Sequence, residues 1–113
     1  MNTMDTLQKN CEDIAQTITN PEEWAKEYAE DREMSPDDVT AYDWLEDVLD
    51  IEYIVSSDKQ YKSAKVLVAF GGPNIWVNFD DMTVDGYWGG DKVSVPFTDN
   101  MHIDEALEEL YLS

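Results

Sequence analysis

The chain has 113 residues and sets 26 Asp and Glu against 7 Lys and Arg, a formal net charge of -19. Its hydrophobic fraction is nevertheless 42%, with 4 Trp, 6 Tyr and 3 Phe, too much apolar material for a disordered acidic tail. The charge must therefore sit on the surface of a folded body, one long enough to bury a core without disulfides or metals. Such a surface repels DNA, RNA and anionic membrane, so the expected partners are basic protein surfaces or small cations.

Cys11 is the single cysteine, which rules out an intramolecular disulfide and fits a reducing compartment. No basic segment followed by an apolar stretch opens the chain, and no run approaches membrane-spanning length. The expectation is a cytoplasmic protein forming one α+β domain over residues 1–113: a helical part (1–50), a sheet (51–97) and a closing helix (99–112).

Met4, Leu7, Cys11, Ile14, Ala15 and Ile18 recur at helical steps and predict an amphipathic helix over 3–18, with Cys11 as a small buried hydrophobe. Asn20-Pro21-Glu22-Glu23 predicts a second helix with Asn20 as cap and Pro21 at the first position. Trp24 and Tyr28 then share one face. Ser35-Pro36-Asp37-Asp38 predicts a third, with Val39, Tyr42, Leu45, Val48 and Leu49 facing inward. That helix also ends in acids, Glu46, Asp47 and Asp50, against the sign of its dipole.

From Ile51 the period changes to two. Ile51, Tyr53 and Val55 predict a first strand; Ala64, Val66, Val68 and Phe70 a second. Gly71-Gly72-Pro73-Asn74 is a hairpin turn, returning through Ile75, Val77 and Phe79. Val84, Gly86 and Trp88 share one side of a further strand, and Lys92–Phe97 adds an edge. A four- to five-stranded antiparallel meander follows from this pattern. Thr98 or Asp99 caps a last helix with Ile103, Ala106, Leu107 and Leu110 as its stripe, and no Lys or Arg occurs after Lys92.

Catalytic groupings are hard to assemble. His102 is the one histidine, so neither a Ser–His–Asp nor a Cys–His set can be drawn, and a zinc site lacks ligands. Gly71-Gly72-Pro73-Asn74 leads into a strand and has no phosphate-binding lysine. Asp81, Thr83, Asp85 and Gly86 match the start of a calcium loop, but its last ligand position falls on Lys92. The reading is non-enzymatic, with no cofactor and no metal.

The carboxylates remain. If the third helix runs through Asp50, Asp43, Asp47 and Asp50 line one face beside Glu46. On the last helix, Asp104 and Glu108 run parallel to Glu105 and Glu109. One helical turn rises about 5.4 Å, an interval comparable to the phosphate repeat of a DNA strand. A rigid body with such rows suits a DNA-binding groove, with Tyr42, Trp44 and Tyr87 as anchors. The competing reading is a small adaptor that binds through exposed aromatics, Trp76, Tyr87 or Trp88, with acidity serving solubility. Pairing of the Lys92–Val95 edge with a second copy would give a homodimer, which nothing in the sequence requires.

Tyr42-Asp43-Trp44-Leu45-Glu46-Asp47-Val48-Leu49-Asp50-Ile51-Glu52-Tyr53, then Val66–Asn78 with its Gly-Gly-Pro-Asn turn, then Gly86-Tyr87-Trp88, resembles a group of small acidic reading frames. These are carried by conjugative and other mobile elements of Gram-positive gut bacteria, and the likeness spans residues 42–113. The resemblance implies no catalytic residue. It implies a context in which anti-restriction and other anti-defence proteins, several of them acidic DNA mimics, are common.

Overall fold

A computed structural model describes residues 3–113. Three α-helices, α1 (Thr3–Thr19), α2 (Glu22–Asp31) and α3 (Ala41–Leu45), precede five strands: β1 (Asp50–Val55), β2 (Tyr61–Ala69), β3 (Asn74–Asn78), β4 (Thr83–Trp88) and β5 (Asp91–Pro96). Helix α4 (Ile103–Leu112) closes the chain. The strands form one antiparallel sheet in the order β1-β2-β3-β4-β5, the meander that the turn spacing predicts.

Helices cover one face of this sheet. Ile51, Val66, Val77, Val84 and Val95 stand opposite one another across all five strands, and all belong to the core or pack against it. Helix α1 crosses β4 and β5, α4 packs on β2, and α3 packs on α4. Leu7, Cys11, Ala15 and Ile18 supply α1's buried stripe, while Met4, at its front, stays 40% exposed. The helix comes down on Gly86. A Cβ there would lie 2.6 Å from Cys11 Sγ and 2.8 Å from Leu7 Cδ1, so the missing side chain lets the two layers approach. Burial, with negative charge nearby at Asp85 and Glu12, pushes the Cys11 thiol up to about 11, far from a reactive thiolate.

Local sequence chemistry explains where the elements differ from expectation. Asn20 does not cap α2: its N–H donates to Gln16 O (2.8 Å), continuing the first helix, and Pro21 takes the cap position without a side-chain bond. The third helix is much shorter than 36–50. Ser35 Oγ accepts from the Asp37 N–H (3.3 Å) and opens a 3-10 turn over Pro36–Asp38, after which Val39 is extended. Thr40 starts α3 afresh, its N–H donating to Asp43 Oδ2 (2.7 Å), the return half of a capping box. By Leu49 the backbone already pairs with Leu67 O (2.8 Å), so sheet pairing overrides a helix weakened by like charges at Asp43, Asp47 and Asp50. Of the expected inward stripe Leu45 is buried; Tyr42 is 42% and Leu49 59% exposed.

Two further departures are local. The β2–β3 register shifts between Leu67 and Ala69, which leaves Phe70 outside the strand and 75% exposed. The last helix begins at Ile103 instead of residue 99. Asp99 still serves it, Oδ1 accepting from the Ile103 N–H (3.0 Å) and Oδ2 from the Asp104 N–H (2.9 Å), whereas Leu110 is 38% exposed. None of the helices among the described residues is long and apolar enough to cross a membrane.

Candidate functional site

The two faces of the molecule carry different surfaces. On the helix-free face of the sheet, charges sit beside partners. Lys65 Nζ lies 3.7 Å from Glu52 and 5.4 Å from the centre of the Trp76 ring; Lys92 covers Tyr87 at 5.6 Å; Asp85 accepts from Ser94 Oγ (2.8 Å). Residues 51–102 hold 7 acids and 4 lysines, a net of -3. Residues 1–50 hold 15 acids and 3 cations, a net of -12, and residues 103–112 add four acids and no cation. Most of the charge therefore travels with the helical segments.

In that layer and at its seam with β2, tyrosines take the place that cations usually fill. Tyr28 is buried as a residue, and its hydroxyl shares one proton between Asp43 Oδ1 and Glu46 Oε2, each 3.1 Å away. Tyr42 on α3 donates to Glu109 on α4, bringing the two acidic segments side by side. Tyr61 donates to Asp104 Oδ1 (2.5 Å). A neutral donor fixes a carboxylate without cancelling its charge, which leaves the surface potential intact. The tyrosines record the cost. Desolvation, with hydrogen bonds to Glu46 and Asp43, pushes Tyr28 up to about 12, and desolvation with the Asp104 bond drives Tyr61 higher still.

The expected acidic residues therefore divide. Asp43 and Glu46 converge on Tyr28, Glu109 joins them through Tyr42, and Asp104 turns inward to Tyr61. Glu105 is exposed 3.7 Å from His102 Nδ1, and Glu108 is exposed about one turn further along α4. Asp50 lies at the start of β1, its Oδ1 accepting from the Ile51 N–H (2.9 Å). The expected helical row Asp43–Asp47–Asp50 does not exist, because α3 stops at Leu45. One-turn spacing of carboxylates survives on α4.

No protein-family model matches this chain. No curated protein and no solved structure matches it either. The candidate site therefore stands on its own geometry.

The aromatic residues also divide. Trp76 is half-buried and Tyr87 is 38% exposed on the bare sheet face. Trp88 packs against the core from the helix side, with its Nε1 3.6 Å from where a Gly72 Cβ would stand. Tyr42 bonds Glu109, and Trp44 lines a cleft of about 270 Å³ with Trp24 and Asp47. Two features were missed in the sequence. One is the exposed row Glu23, Glu27, Glu30 and Asp31 on α2, visible in principle as acids three and four residues apart. The other is Trp24, which borders this cleft and two neighbouring hollows; no spacing rule could have brought it to Trp44. Among the described residues, no group of three or more His, Cys, Asp or Glu is arranged to hold a metal ion. Thr83, Asp85 and Gly86, part of the calcium-loop match that the sequence breaks at Lys92, lie within strand β4.

Proposed function

We propose that this chain is a non-enzymatic cytoplasmic binding module whose acidic helical layer occupies a basic groove of a nucleic-acid-binding protein, acting there as a mimic of DNA. The observation that carries the reading is the uneven charge: net -12 on residues 1–50 and -4 on α4, against -3 on 51–102. Carboxylates held by tyrosine hydroxyls keep a fixed geometry and a full charge, the combination a phosphate substitute needs. A context of anti-restriction and anti-defence proteins agrees with a host nuclease, methyltransferase or effector as the target.

The test is capture of proteins on the immobilised chain from a Gram-positive gut bacterium, repeated at rising salt and with duplex DNA as competitor. A retained DNA-binding protein that salt and DNA both release supports mimicry, since phosphate-like contacts weaken steeply with ionic strength. A retained protein indifferent to both overturns it. The second reading, an adaptor binding through the sheet, rests on Trp76 and Tyr87 lying on a face that no helix covers among the described residues. It predicts that substitutions there, and not in the acidic layer, abolish capture.

A further inference from the structure

The cleft between α1, α2, α3 and strand β2 is built from Trp24, Trp44 and Asp47, over an apolar lining of Ile14, Val48 and Val68. Both indoles are half-buried, and the Asp47 side chain is exposed at the cleft with no hydrogen-bond or ion-pair partner among the described residues. At about 270 Å³ the space falls at or below the small end of pockets for free small molecules, roughly 300–1,000 Å³, and suits one inserted side chain. Two indoles lining a cleft beside that carboxylate suit an organic cation.

The adjoining residues display the same chemistry already satisfied. Trp24 stacks near Tyr28 with ring centres 5.2 Å apart, and the Arg32 guanidinium covers Tyr28 with its central carbon 3.7 Å from the ring centre. The Tyr28 hydroxyl meanwhile binds Asp43 and Glu46. An aromatic face, a guanidinium and nearby carboxylates thus form one assembled unit, and the neighbouring cleft repeats the aromatic and the carboxylate without the cation.

The geometry points to the Trp24–Trp44–Asp47 cleft as the receptor for an arginine side chain projecting from the basic protein partner. This inference rests on the acidic-surface reading and sharpens it by naming the anchor. A planar guanidinium stacks on indole and pairs with a carboxylate at once, which a lysine ammonium does less well. The long-range field of the acidic layer recruits the partner, and the cleft positions it.

The chain contains four tryptophans, so the indole N–H signals in an NMR titration report the site directly. Trp76 and Trp88, on the sheet, serve as internal controls. A short acetylated arginine peptide with an amide C-terminus is expected to move Trp24 and Trp44 saturably, with a Kd of about 1 mM or tighter, and to leave Trp76 and Trp88 in place. A peptide with neutral citrulline replacing the arginine is expected to leave all four indoles in place. Asp47→Asn, an exposed change that leaves the fold intact, is expected to weaken arginine binding by about threefold or more. Equal movement of all four indoles, an equal response to citrulline, or unchanged affinity in Asp47→Asn overturns the inference. A Trp44→Ala protein that captures the same salt-sensitive basic partner with unchanged affinity also overturns it, while the acidic-surface reading stands. Failure of the unsubstituted chain to bind any basic partner overturns both.

Discussion

The bare face of the sheet and the outer surface of the helical layer solve the same problem in opposite ways. On the sheet, Lys65 and Lys92 stand beside Glu52, Trp76 and Tyr87, and the local charge is largely cancelled. On the helical side, Tyr28 and Tyr42 from the helices and Tyr61 from the start of β2 hold Asp43, Glu46, Glu109 and Asp104 by hydroxyl donation, and the charge persists. A chain with 7 cations for 26 acids cannot pair every carboxylate ionically. Using tyrosines as the donors keeps the acids ordered and leaves their field directed outward. The contrast teaches that order and neutrality are separable properties of a charged surface.

The contrast requires the two layers to stay locked, and the largest expected effect comes from prising them apart. Gly86→Ala inserts a methyl group against Cys11 and Leu7 and is expected to cost about 2 kcal/mol in urea unfolding, by overpacking. Adding Cys11→Ala should recover part of that loss, since Leu7 still obstructs. A Gly86→Ala protein as stable as the parent would show that the layers are not tightly joined there.

Removing a tyrosine donor tests the helical side alone. Tyr28→Phe strips the hydroxyl from Asp43 and Glu46 and is expected to lower stability, by less than Gly86→Ala does. The same contact predicts an alkaline limit. Tyr28 is raised from 10.0 to about 12 in the folded state, so the native protein holds a proton that the unfolded chain releases. Its contribution is complete below pH 10 and is lost as the pH rises towards 12. Thermal unfolding followed across that window should show a falling midpoint, less steep in Tyr28→Phe.

Screening sharpens the comparison at smaller amplitude. Raising the ionic strength from 0.05 to 0.5 M shortens the Debye length from about 14 to about 4 Å and should raise the melting temperature by about 3 °C, through relief of self-repulsion. Replacing Glu23, Glu27, Glu30 and Glu108 by Gln should reduce that salt response. The smallest effect belongs to the sheet: Glu52→Gln breaks a half-exposed pair with Lys65 and is expected to change stability by less than about 0.5 kcal/mol. A large loss there would mean that the bare face depends on its charges after all.

Much of this architecture is written in local chemistry. The stripe Leu7, Cys11, Ala15, Ile18 determined α1, the alternation of Ile75, Val77, Val84 and Gly86 determined the inward face of the sheet, and the glycine-rich turn determined the β2–β3 hairpin. Composition alone determined that the folded surface is acidic. The tertiary structure decided the rest. It ended α3 at Leu45, because pairing of Leu49 and β1 with β2 outweighs the preference of a short, self-repelling helix. It turned Asp104 inward, tied Glu109 to Tyr42, and set Trp24 beside Trp44 and Asp47. Those partners lie many residues apart and follow no period, so only the packing of the helices on one another and on the sheet brings them together.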